Sequence, residues 1–174
     1  MTRSAILVLV LAVALVAATP ASTATQAAQR DTSLEHAVID AVNAVRAAHG
    51  LRPLTVSRGL RTTAYGHTNT LAAAGVFQHE SPDGTSFDRR VRRAYPSRGF
   101  SSWSVGENLV FGSAPFSADE AVKAWLESPP HRRNLLSRTW REIGVGAVLA
   151  QNVGGDYGDE PVVIVTADFG ARSR

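Results

Sequence analysis

Apolar residues recur at helical spacing in four stretches of the chain and give way to strand-like runs toward its C-terminal end. Leu34, Val38, Val42 and Val45 fall in steps of three and four, which predicts a first helix capped by Ser33 and ended by Gly50, with Pro53 keeping the connection extended. A second stripe, Leu60, Ala64, His67, Leu71 and Ala74, predicts a helix that starts after Ser57 and closes at Gly75, and it sets His67 on the inner face. Phe87, Val91 and Ala94 mark a short third helix, capped by Thr85 or Ser86 and ended before Pro96, with Arg89, Arg90, Arg92 and Arg93 directed outward. The fourth opens with the capping box Ser117 and Glu120, carries Ala121, Val122, Trp125 and Leu126 inward, and stops at Pro129-Pro130.

Between these helices Ser81-Pro82-Asp83-Gly84 reads as a tight turn. Residues 96 to 104 read as loop, and Ser104 to Gly112 has no clear period. An irregular turn through His131 to Leu136 precedes two strands, Glu142 to Ala150 and Pro161 to Phe169, joined by a loop over 152 to 160 that is rich in Gly and Asp. Val162 to Val165 are apolar on both faces, as in a central strand covered from both sides. Four helices followed by a hairpin predict one α+β domain with an antiparallel sheet packed between helices, without internal repeat or second domain.

The chain opens on an export-like segment: Arg3, then the apolar run Ile6 to Ala18, then small residues from Pro20 to Ala24. That run falls short of the ~20 apolar residues a stable span requires, so cleavage near Ala24 or Ala27 is expected. Residues 1–28 are accordingly read as signal peptide and leader, with 25 to 32 flexible and the domain over 33–171. About 145–150 residues remain, a common size for one domain, able to bury ~68–70% of its unfolded surface. The chain has no cysteine, so an exported product relies on packing alone, and zinc held by thiolates is excluded.

The net charge of +3 rests on arginine, Lys123 being the only lysine. It allows attraction to anionic envelope polymers or lipid head groups but is modest. The cluster Arg89, Arg90, Arg92 and Arg93 lacks interleaved aromatics and any binding motif, so it reads as a solvated helix face and nucleic acid is not an expected partner.

Candidate chemistry rests on histidines and carboxylates. His36 and His49 lie on the polar side or end of the first helix and read as surface residues. His79, before the Ser-Pro turn, and His131, after two prolines, sit where a scaffold fixes loop backbone, and Glu107 lies between Gly106 and Asn108. Two imidazoles and a carboxylate can hold a divalent cation, zinc or magnesium, with open positions. Alternatively, Glu107 bonds loop backbone while the histidines close a pocket rim; their spacing does not decide between the two. His67 reads as a satisfied core histidine or as a group that orients another ligand. No Gly-x-Ser-x-Gly elbow is present, and Ser128, although near His131, has no evident orienting acid or oxyanion site.

The segments Phe77 to Gly84, Gly106-Glu107-Asn108-Leu109, Ala124 to Leu136, Ile143-Gly144-Val145-Gly146 and Asp168-Phe169-Gly170 stand in an order that resembles the bacterial, SCP-like extracellular branch of the CAP superfamily: cysteine-rich secretory proteins, antigen 5 and pathogenesis-related proteins. The resemblance spans about residues 34 to 170. It implies secretion, an α-β-α sandwich and a wide cleft in which His79, Glu107 and His131 can take a cation, with His67, Asn108 and Ser128 also in the cleft. One departure is that eukaryotic relatives carry a second glutamate where Ser128 stands. Glu127 comes one residue early, and one residue turns a helical side chain by ~100°, so Glu127 is expected to point elsewhere.

Three functions follow. The first is a monomeric, non-catalytic binding module at the cell surface or outside it, taking a lipid, a cell-wall fragment or a protein. The second is a metal-dependent hydrolase, protease-like, in which His79 and His131 bind the ion and Glu107 acts on water. An envelope structural protein held by arginines is a third.

Overall fold

The structure is a computed structural model and describes residues 28–174. The export segment lies outside the described residues. Element order is β1 (Gln29–Arg30), α1 (Thr32–Ala48), β2 (Thr55–Val56), α2 (Arg58–Ala74), α3 (Phe87–Arg92), β3 (Ser102–Ser113), α4 (Ala118–Glu127), α5 (Pro129–Leu135), β4 (Glu142–Ala150) and β5 (Val162–Ser173). The five strands form one sheet in the order β1-β4-β5-β3, antiparallel except for β2, which runs parallel to β4 beside β1. Helices cover both faces, which makes the fold the expected α+β sandwich.

Strand alternation assigns the two layers. On β4 and β5 the residues Ile143, Val145, Ala147, Val163, Val165, Ala167 and Phe169 pack with α1, α4 and α5 around Trp125. Their neighbours Val148, Ala150, Val162 and Ile164 turn to the other side and meet Ala72 of α2 and Tyr157. Glycines on β4 let α2 lie almost directly on the sheet. A Cβ at Gly144 would stand 2.0 Å from the backbone nitrogen of Arg61, and one at Gly146 would stand 2.3 Å from that of Tyr65.

Several local expectations change. Ordered backbone begins ahead of Ser33: Gln29 and Arg30 pair with Leu149 and Val148, so the end of the expected leader is a strand. The cap of α1 is Asp31, which accepts from the Leu34 amide at 2.9 Å, because its carboxylate also suits the positive end of the helix. Ala74 is exposed, since α2 also turns Thr63 and Thr68 inward. The aperiodic stretch 104 to 112 is part of β3, a twelve-residue strand paired with β5 along its length. Its polar and apolar residues fail to alternate because it forms one edge of the sheet, where side chains from α4 and α5 reach its carbonyls. Trp125 Nε1 donates to Leu109 O at 3.0 Å, and Asn134 Nδ2 donates to Glu107 O at 3.1 Å. The irregular turn is α5: Pro129 and Pro130 occupy the first helical positions, where the missing N–H costs nothing, so they stop α4 and start its successor.

Candidate functional site

The site grows from the pairing of β3 with β5, whose register sets Glu107 directly opposite Asp168 on the face covered by α2. Gly106 precedes it because Asn134 and Trp140 close over that position; a Cβ there would meet Asn134 Oδ1 at 2.6 Å. Asn108 points to the opposite face and is fully buried. Its Nδ2 donates to His131 O at 3.1 Å and its Oδ1 accepts from Asn134 Nδ2 at 2.9 Å. Asn108 therefore fastens α5 to the sheet and does not line the cleft as expected. Trp140 Nε1 donates to Asn134 O at 2.8 Å and completes the clamp.

Both oxygens of the Glu107 side chain have partners. His79 Nδ1 lies 2.8 Å from Oε1 and donates to it, while the Arg90 guanidinium donates to Oε2. Arg90 Nη1 also donates to His79 O at 2.8 Å, tying α3 to the loop that carries the imidazole. The outward placement expected for Arg90 is thus corrected: its residue is only 9% exposed, because a buried carboxylate requires a buried cation. The other arginines of the cluster, Arg89, Arg92 and Arg93, are exposed.

Behind Glu107, Asp168 is fully buried and accepts a hydrogen bond from the Thr63 hydroxyl. Burial, together with the neighbouring Glu107 charge, pushes the Asp168 carboxyl well above the usual range. Glu107 is pushed up to about 7, burial outweighing the opposing pull of Arg90. Each acid disfavours ionisation of the other, and Asp168, the more deeply buried of the two, is pushed further toward its protonated form.

His67 is a core histidine whose Nε2 donates to Gln78 O at 3.0 Å and stands 4.0 Å from Glu107 Oε1. Burial, and then the Arg90 charge, lowers its pKa to about 3. Unfolding restores the ordinary value, 6.5, so His67 costs no stability above that pH and progressively more as pH falls toward 3. His67→Gln is expected to flatten this limb: its melting temperature falls less than that of the wild type between pH 7 and pH 4, followed by circular dichroism. An equal fall in both proteins would contradict the assignment.

His131 sits on α5 with its ring against an apolar slot of about 230 Å3, lined by Phe77, Leu109, Phe111, Trp125 and Ser128. Phe77, Phe111 and Tyr157 stack edge to face beside it, with Phe77 and Phe111 centroids 4.8 Å apart. Burial lowers the pKa of His131, with a further contribution from His79, and burial and Arg90 lower that of His79. Both rings are therefore held toward the neutral form. His79 remains about half exposed, at 54% of its side chain, so its free Nε2 is accessible. Glu127 points to solvent near Lys123, at 3.8 Å. His36 and His49 are exposed as expected.

The profile of the cysteine-rich secretory protein (CAP) family matches residues 39–169. The chain belongs to this family. An uncharacterized protein of Bacillus subtilis, YkwD, is 34% identical over 128 residues, 73% of the chain and 47% of the relative. The membrane protein YlbC of the same organism, also uncharacterized, is 29% identical over 115 residues, 66% of the chain and 32% of the relative, so the chain spans less than half of either. Among solved structures, an extracellular protein of Bacillus anthracis containing an SCP domain superposes with a TM-score of 0.62 at 25% identity, covering 83% of this chain and 41% of that one. An outer surface protein of Borrelia burgdorferi shares the fold, with a TM-score of 0.67 at 20% identity over 84% of this CAP chain and 99% of its own. No helix among the described residues is long and apolar enough to cross a membrane.

Arg90, Asp168, Thr63 and Asn134 also build the site, although none is among the site residues expected from the sequence. Asp168 had a signal, a lone acid in an apolar central strand. Arg90 had one as well, lying three residues from Phe87 on the same helical flank.

Proposed function

We propose that this CAP domain is an exported binding module that takes the apolar part of an envelope lipid in the slot beside His131, with His79 at its polar mouth. The observation that carries this reading is the saturation of Glu107. One oxygen is held by a guanidinium, the other by an imidazole, and the buried Asp168 closes the space behind, so the group is spent on holding the cleft together. The slot itself is lined by aromatic and aliphatic side chains, the usual composition of a lipid-accepting pocket. A cell-wall fragment or a protein remains the alternative occupant of the same surface. Titration of the purified domain with fatty acids, sterols and envelope fragments, read by Trp125 fluorescence, tests it. Saturable binding of an apolar ligand, weakened tenfold or more by Phe111→Asp, is expected; failure of every class to bind above background would sink the proposal.

The metal-dependent hydrolase is favoured by one feature. His79 donates through Nδ1 to a carboxylate and leaves Nε2 free, the arrangement by which proteins orient a metal-binding imidazole. His79 and His131, both kept toward neutrality, would hold zinc in preference to magnesium, which seeks oxygen ligands. Among the described residues, however, no group of three His, Asp or Glu side chains is set to share an ion. A cation bound there would supply Lewis acidity, with Glu107 acting through the orientation of His79. Calorimetry with zinc on wild type and His131→Ala distinguishes the readings: uptake lost in the variant supports a metal site.

A further inference from the structure

A second cavity, of about 480 Å3, opens between α2, the Ser81-Pro82-Asp83 turn and α3, and shares no lining residue with the slot beside His131. Its wall contains Gly66, in the middle of a seventeen-residue helix. Glycine weakens a helix interior, and here neither conformation nor packing calls for it: the residue is helical, and an added Cβ would meet nothing within 4 Å. Gly59 on the same helix contrasts with it, since a Cβ there would stand 2.3 Å from Ala94 O. The missing side chain at Gly66 keeps space open in the cavity.

The polar lining is complementary to a ligand that both donates and accepts hydrogen bonds. Thr62 and Thr70 spend their hydroxyl hydrogens on Arg58 O at 2.9 Å and Gly66 O at 2.7 Å, which leaves both oxygens as acceptors. His67, 1% exposed, donates through Nε2 to Gln78 O, so its Nδ1 is a bare acceptor, and it has no partner. Arg90 Nε is a donor without a partner. Both atoms are buried without a hydrogen-bond partner. Ser81 Oγ accepts from Arg90 Nη1 at 3.4 Å and retains a hydrogen to donate. Charge is balanced: Glu107 answers Arg90, and Arg93 acts on Asp83. A free anion finds both arginines already faced by a carboxylate, whereas hydroxyls that donate and accept in alternation match the wall.

We infer that this cavity is a binding site for a neutral saccharide of one or two rings, independent of the slot ligand. Amide-resolved NMR of the whole domain, titrated with N-acetylglucosamine and its β-1,4-linked disaccharide, tests it, with inorganic phosphate as the charged control. Saturable shifts at Thr62, Gly66, Thr70 and Ser81 are expected with sugar and not with phosphate. Gly66→Leu is expected to weaken sugar binding at least tenfold without lowering the melting temperature, and Gly66→Ala, a smaller plug that favours the helix, to weaken it less. Phe111→Asp leaves these shifts unchanged, so failure of the slot reading and failure of this one are separable. Absence of sugar shifts at tens of millimolar, shifts indifferent to both Gly66 substitutions, or a response to phosphate alone would each overturn the assignment.

Discussion

Gly144→Val is expected to leave little folded protein. The new side chain would begin 2.0 Å from Arg61 N and 2.1 Å from the carbonyl carbon of Leu60, both backbone atoms of α2 that no rotamer change can move. Relief requires lifting α2 off the sheet, which separates Thr63 from Asp168 and Thr68 from Thr166. Overpacking with backbone displacement costs roughly 3 kcal/mol or more, against a total stability of about 5–15 kcal/mol for a domain. Denaturant unfolding of Gly144→Ala, the milder change, measures the loss if the valine variant is insoluble. A midpoint unchanged from wild type would show that α2 does not rest on this strand.

Arg90→Met carries the second large effect, about 3–5 kcal/mol, because it leaves a buried carboxylate without its cation. The loss depends on pH. Glu107 titrates at about 7 in the fold, above its ordinary 4.5, so the stability tied to its protonated form is complete below pH 4.5 and is lost as pH rises through 7. Removing Arg90, which holds that value down, moves the fold further toward the protonated acid. The cost of Arg90→Met is therefore expected to be larger at pH 8 than at pH 5, and Glu107→Gln in the same chain to recover part of it. Urea midpoints of the two single variants and the double variant at both pH values supply the comparison. A cost that is flat with pH, or a double variant no better than Arg90→Met, would show that the pair is not coupled.

Much of this arrangement was legible in the chain because local rules and packing agree there. The capping box at Ser117 and Glu120, the left-handed Gly75 that closes α2, and the apolar β4 and β5 are each determined by their own residues and one buried face. His79 and Glu107 were legible as a pair through their motifs, and the β3–β5 register accounts for half of their meeting. What stayed hidden depends on partners distant in sequence. β3 is stabilised by side chains from α4 and α5 on its outer carbonyls, so its own pattern is mixed. Arg90 looks like its three exposed neighbours until a buried acid stands opposite it. Asn108 reads as part of an aperiodic stretch and Asn134 as part of an irregular turn, yet each finds its bonds across a helix–sheet junction. The two prolines ahead of His131 mark the end of α4 and equally the start of α5, so from sequence His131 reads as a turn residue.

The tautomers of His67 and His79 bear most directly on the arrangement around Glu107. With Nε2 of His67 donating to Gln78 O and Nδ1 of His79 donating to Glu107, the two rings hold their protons on opposite nitrogens. Long-range proton–nitrogen NMR at neutral pH is expected to show His67 protonated on Nε2 alone and His79 on Nδ1, with the His79 preference lost in Glu107→Gln. Two imidazoles with the same tautomer, or a His79 whose nitrogen shifts ignore that substitution, would mean that the carboxylate does not hold the ring and that the cleft is built in another way.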